Sequence, residues 1–246
     1  MEGISKKENF FVEGSGKAVI AGDNGKLSLI HLQDMTLDLS SKMEDIFGGE
    51  SLFPVFSYMS EKGAKATFTN ASMSLEAFNL TQGTTADKAA TLFADEDVIV
   101  GDNGELVVAH ADTADKTSFI VSDKDGNVIP AVDGKVEGHV GETVNVFYTY
   151  TATVGAIGAS ALTTSVPGYV SIYHRSKPMK QKNGRVIRIL TTIYKARSDG
   201  SLKLDFKHKN AYAPELTFNA VDPEREDKKF MSFAIQDVTE EEKANA

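Results

Sequence analysis

The chain has 246 residues, 41% hydrophobic and 25% charged, the balance of an ordinary soluble globular protein, which excludes wholesale disorder and a coiled coil. It contains no cysteine, so a thiol nucleophile and a disulfide framework are ruled out and folding in a reducing compartment is favoured. A formal net charge of -9 argues against gripping nucleic acid through a dominant basic face.

The opening residues, Met1 to Glu8, lack a long apolar stretch, and no later segment approaches the roughly 18 continuous apolar residues of a spanning helix. Neither export by a signal peptide nor membrane insertion is expected. Period-two alternation then recurs from end to end and predicts an all-β chain. Leu27 and Leu29, then Met35, Leu37 and Leu39, alternate with polar neighbours; the change of phase near Gln33-Asp34 marks a bulge or corner. Ser40 to Phe47 carries a Ser cap followed by acids and the stop Gly48-Gly49, and is predicted as a short helix. Ala66 and Phe68, then Met73, Leu75 and Ala77, predict strands on either side of Asn70. Thr85 to Ala94, with Ala89, Leu92 and Phe93 able to share a face, is a second predicted helix.

Further along, Val144, Val146, Tyr148 and Tyr150 alternate with Asn145, Thr149 and Thr151. Residues 186–195 form a long strand that is apolar on both sides, and Leu202, Leu204 and Phe206 a one-sided strand. Asp23-Asn24-Gly25, Asp102-Asn103-Gly104, Asp125-Gly126-Asn127, Asp133-Gly134 and Ser198-Asp199-Gly200 are turns that tolerate positive φ, so adjacent strands are expected to be antiparallel. The last of them is predicted to join 186–197 to 201–207 as a hairpin. A single β domain over 1–238, with 95–140 as a possible inserted hairpin unit, and a flexible acidic tail over 239–246 complete the organisation.

Tests for chemistry point away from an enzyme. His31, His110, His139, His174 and His208 are scattered, with no spacing that places two imidazoles on one metal. Asp123-Lys124-Asp125-Gly126-Asn127 begins like a calcium loop, but Gly134 stands where a bidentate Glu is required, so a turn is expected. Gly14-Ser15-Gly16 lacks the full phosphate-cradle pattern, and no nucleophile elbow occurs. No catalytic residue, cofactor or metal is expected.

Three segments suggest contact with other chains. Phe47 to Met59 is aromatic and apolar without strict alternation, and segments of this kind bury on their own core or on a partner. Phe47, Leu52, Phe53, Pro54, Val55, Phe56 and Tyr58 are its candidate contact residues. From Arg175 to Lys209 there are eleven Lys and Arg against Asp199 and Asp205, leaving 15 basic and 33 acidic residues elsewhere. Within that basic run, Arg175, Lys177, Lys180, Lys182 and Arg185 are candidates for an acidic patch on a neighbouring subunit. Phe10, Phe11 and Val12 of the N-terminal arm are the third set.

Taken in order, Lys6 to Val12, Ala66 to Leu75, Gly141 to Tyr150 and Glu215 to Pro223 resemble the tail tube, or major tail structural, proteins of long-tailed bacteriophages. The resemblance implies an antiparallel β-sandwich or half-barrel with a flanking short helix, closed into a hexameric ring and stacked into a hollow tube that conducts DNA. It implies assembly in the host cytoplasm, residence in the virion tail, and tape measure, tail terminator and baseplate proteins as partners. Other classes remain open at this point: a capsid decoration or tail adaptor protein, or a carbohydrate-binding β-sandwich module, the last weakened by the absence of Trp.

Overall fold

A computed structural model describes residue 11 and residues 14–23, 25–50, 52–204 and 213–238. The chain divides into two compact units: unit 1 comprises 1–85 with 161–246, and unit 2 comprises 86–160. The fold is all-β with antiparallel sheets and, among the described residues, one helix.

Unit 1 begins with β1 (Lys17–Gly22) and β2 (Gly25–Leu29), a hairpin in which Gly22 pairs with Gly25 across the expected Asp23 turn. A corner at Ile30-His31 leads into β3 (Leu32–Ile46), which pairs along its whole length with β4 (Phe56–Asn70). The β3 register slips between Leu32 and Asp34, where the change of hydrophobic phase placed a bulge.

After β4 comes α1 (Leu75–Gln82). Met73-Ser74-Leu75-Glu76-Ala77 alternates, and the segment was expected to be strand; capping overrides that short pattern. The Ser74 side chain accepts from the Ala77 backbone N–H, and Gly83 at φ 68 closes the C-terminus with its N–H donating to the Asn79 carbonyl. Any Cβ on Gly83 would lie 2.2 Å from the Val166 carbonyl oxygen, so close approach and positive φ both require glycine here.

Both predicted helices are strand instead. Ser40 to Ile46 pairs with Phe56 to Gly63, with one slip in register between Lys42 and Met43, and the Gly48-Gly49 stop serves the hairpin loop, Val55 N–H donating to the Ile46 carbonyl. Thr85 to Ala94 is divided between β5 (Ala86–Asp87) and β6 (Ala90–Ile99). In both segments cross-strand hydrogen bonding outweighs a cap signal and a short apolar face, since a helix of eight or ten residues is marginal without strong packing.

Unit 2 continues with β7 (Ala114–Ser122), β8 (Val128–Ile129), β9 (Ala131–Val132), β10 (Lys135–Val136), β11 (Thr143–Ala152) and β12 (Gly158–Ala159). Its main sheet has the order β6-β11-β7-β8, with β9-β10 as a separate hairpin. The β9-β10 turn is Asp133-Gly134, with φ 51 and 76, the two positive angles that an Asp-Gly pair accepts most readily. Val144, Val146 and Tyr148 of β11 point into a core with Val98, Val100, Val121 and Val136. Tyr148 Oη, at the edge of this core, donates to Glu96 Oε1 at 2.7 Å and accepts from the His110 N–H at 3.2 Å. Burial raises the Tyr148 phenol above its usual value, and the Ala109 N–H and the phenol together hold Glu96 below the usual carboxylate range. The two ends of the unit pair with each other, Ala86 with Ala159 and Asp87 with Gly158.

Unit 1 resumes with β13 (Tyr169–Arg175), β14 (Met179–Lys180), β15 (Val186–Lys203), β16 (Glu215–Ala220) and β17 (Met231–Asp237). The sheet order is β2-β1-β13-β15-β16-β4-β3, with β14 and β17 also on β15. Ser198-Asp199-Gly200 is not a hairpin turn: β15 runs straight through it, and the register with β16 shifts between Ser198 and Leu202. Gly200 takes φ 81 in this bulge, so the same turn residues insert extra length into one strand rather than reversing it. Asp205 to Lys207 and the 239–246 segment lie outside the described residues.

The unit 1 core gathers Ile20, Leu29, Phe68, Leu80, Ile172, Ile193, Leu216 and Phe218 between the sheet and α1. Phe68 and Phe218 are fully buried and meet edge to face, centroids 6.2 Å apart. Phe218→Ala should destabilise unit 1 by about 3–5 kcal/mol in denaturant unfolding. Tyr148→Phe should cost about 1–2 kcal/mol, and protection of the unit 2 amides in hydrogen exchange should fall while that of β15 does not.

Candidate self-assembly surface

Beyond Ala64, β4 loses its partner on the far side, because β16 pairs only with Lys65 to Thr69. Residues 39–46 and 56–63 therefore form a two-stranded arm with no third strand among the described residues. Eight residues of strand extend about 25 Å. A lone two-stranded ribbon is marginal in water, and this one is fixed by its own polar pairs. Tyr58 Oη donates to Glu44 Oε2 at 2.9 Å and Ser57 Oγ to Asp45 Oδ1 at 2.5 Å, while Lys42 lies 3.4 Å from Glu44 and 3.7 Å from Glu61. Those bonds order the ribbon without covering its apolar groups. Phe56 stacks on Tyr58 at 6.3 Å, and both remain exposed. At the tip, Leu52 is 91% and Phe53 78% exposed; Phe47, Pro54 and Val55 are exposed beside them.

The candidates of the 47–58 segment are thus brought together on one projection. Leu39, Met43 and Met59 extend the same exposed apolar surface toward its base. The helix expected over 40–47 hid Met43, although its pairing partner is Met59. At the base, Leu39, Met59, Phe230, Met231 and Phe233 line a groove of about 490 Å³, and Lys62 Nζ sits 5.2 Å above the Phe230 ring.

The basic candidates occupy a different region of unit 1. Arg175 ends β13, Lys180 lies in β14, and Lys177 and Lys182 are exposed between strands. Arg185 is engaged within the chain, its Nη2 2.5 Å from Asp237 Oδ2. Phe11 is held beside this group: Gln181 exchanges two 3.0 Å hydrogen bonds with the Phe11 backbone, and Lys182 Nζ lies 5.2 Å from its ring. Phe10 and Val12, with the rest of the N-terminal arm, lie outside the described residues.

Sheet edges supply the second element. Among the described residues β3 pairs only with β4, β17 only with β15, and β2 only with β1. Each presents an outer row of backbone donors and acceptors that another chain could fill.

In a comparison with known families, a family model described as the YomU/Tube protein family matches residues 15–235. The chain belongs to that family. It is a tail tube family of bacteriophages, in accord with the resemblance read from the sequence. A search of curated proteins returned no match.

In this tube family member the segments tested for chemistry serve the fold. Asp123 Oδ1 accepts from the Asp125 and Asn127 N–H groups, and Oδ2 from Asn127 Nδ2, so its carboxylate closes the turn. Among the described residues no group of three potential metal ligands is found. The Gly14-Ser15-Gly16 loop binds the main sheet: Ser15 Oγ donates to the Leu32 carbonyl, and His174 Nε2–H donates to the Ser15 carbonyl, each at 2.5 Å. A Cβ on Gly16 would sit 2.0 Å from the Arg175 carbonyl oxygen, so glycine is what lets the two backbones meet.

Burial lowers the His174 pKa from its ordinary 6.5, the Ser15 carbonyl opposing this in part. The unfolded chain therefore takes up this proton at higher pH than the folded one. The contribution of neutral His174 to stability is complete above pH 6.5 and is lost as the pH falls through its lower folded value. Stability measured by urea unfolding should drop between pH 7.5 and 5.5, and His174→Gln should flatten that part of the profile.

Proposed function

We propose that this chain is the repeating subunit of the tail tube. Copies close head to tail into a six-membered ring, and rings stack into a hollow conduit for DNA during infection. The exposed apolar arm carries the reading: ten residues on it, from Leu39 to Met59, are large hydrophobics left in water, far more than a monomer maintains on one projection. The open edges of β3, β17 and β2 favour lateral pairing, in which a contact that closes by rotation gives a ring. The net charge of -9 suits a passage through which a polyanion must slide without sticking. Membership of a structural tube family supports a building role over a catalytic one.

On this reading the chain folds in the host cytoplasm and ends in the virion tail. Its partners are its own copies, then the tape measure, terminator and baseplate proteins that set the length and ends of the tube. The basic group of Arg175, Lys177, Lys180 and Lys182 is a further contact surface for acidic groups of a neighbouring copy.

Electron microscopy of the concentrated protein should show rings or tubes. Leu52→Asp with Phe53→Asp should leave the subunit folded, with a stability change within about 0.5 kcal/mol as for other exposed sites, and abolish those assemblies. Tubes that form unchanged from the double variant would remove the arm from the interface.

A further inference from the structure

We propose that residues 86–160 act as an electrostatic governor of self-association, holding copies of the chain apart at long range while the apolar arm draws them together at short range. This inference rests on the assembly reading above and assigns unit 2 a function of its own.

The first support is the partition of charge. Unit 2 holds thirteen Asp and Glu against Lys88, Lys116, Lys124 and Lys135, a net of -9. Subtraction from the 35 acids and 26 bases of the whole chain leaves 22 of each in unit 1. The entire net charge therefore resides on 75 of the 246 residues.

The second support is construction. Unit 2 has its own hydrophobic core, and its first and last strands, β5 and β12, zip together. The chain thus leaves and re-enters unit 1 at adjacent points, and the charged unit is carried without interrupting the order of the main sheet. Third, the acids are free to act at a distance. Asp95, Asp112, Asp125, Asp133 and Glu137 are exposed, and among the described residues none of the four unit 2 lysines is paired with an acid. The acid excess is not neutralised locally.

The two forces have different ranges. Repulsion between like-charged copies reaches about 30 Å at 0.01 M salt, about 10 Å at 0.1 M and only about 3 Å at 1 M. Contact between apolar arms is short-ranged and is not screened by salt. A particle with balanced charge and an exposed apolar projection associates readily, and net charge away from zero keeps it dispersed. Unit 1 has the first composition and unit 2 supplies the second property.

Two full-length variants test this in opposite directions. Asp95→Asn, Asp112→Asn, Asp125→Asn, Asp133→Asn and Glu137→Gln together take the net charge from -9 to -4, while Lys88→Glu with Lys124→Glu takes it to -13. Circular dichroism and thermal unfolding establish that each is folded, and light scattering gives the concentration at which association begins. At about 10 mM NaCl the first variant should associate at a concentration roughly tenfold below the wild type and the second should require more protein; all three should converge at about 1 M. Three chains that associate with one salt-independent onset would overturn the governor while leaving the tube reading intact. A wild type that stays monomeric even at 1 M would overturn both.

Discussion

One strand organises unit 1. β15 runs for 18 residues and receives hydrogen bonds along both edges: β13 on one side, and on the other β17 over Ile187 to Ile193 followed by β16 over Ala196 to Lys203. Two neighbours share one edge because the β17 ladder stops at Ile193 and the β16 ladder begins at Ala196; the bulge at Ser198 to Leu202 lies within the β16 ladder. Ile187, Ile193 and Ala196 face the core from this strand. β16 in turn holds β4, and β4 holds β3, so the exposed arm is suspended from β15 through two ladders. Backbone pairing on β15 thus fixes the root of the arm and leaves β17 as an open edge.

Unit 1 combines a well-satisfied interior with an unsatisfied perimeter. Phe68, Phe218 and Ile20 are fully enclosed, whereas the outer edges of β2, β3 and β17 and the tip of the arm are not. A monomer under selection for solitude would blunt such edges with charge, proline or a covering loop. β3 carries Lys42, Glu44 and Asp45, but these are spent on pairing and ordering the ribbon, with Glu61, Tyr58 and Ser57 as partners. The polar groups of the arm stiffen it and its apolar groups remain outside, the arrangement expected of a part completed by association.

Much of this fold was legible in the sequence because β-structure writes a period of two. Val144, Val146 and Tyr148 are buried as their alternation required, and the phase change at Gln33-Asp34 coincides with a real slip in register. What could not be read were segments where a local signal competed with a distant partner. The Ser40 cap and Gly48-Gly49 stop describe a helix in isolation, yet the matching partner strand begins ten residues later at Phe56. Conversely, five alternating residues from Met73 masked a helix whose Ser74 and Gly83 boundaries were both visible. Asp199-Gly200 shows a further ambiguity: the same dipeptide chemistry serves a reversal and a bulge, and only the pairing of the flanking residues distinguishes them. Of the candidate surface, the 47–58 segment was legible as a greasy loop, but its elevation onto a long ribbon was not, because that depends on where β16 stops.

The pairing of Ala86 with Ala159 has a consequence for how such a chain can change. Paired residues on neighbouring strands lie about 5 Å apart, so excision of everything between them leaves a gap that a very short turn would bridge. Material of any size whose termini emerge side by side fits the same doorway. This position is therefore a natural docking port for recombination and for deliberate grafting, where cargo could be carried without redesign of the main sheet.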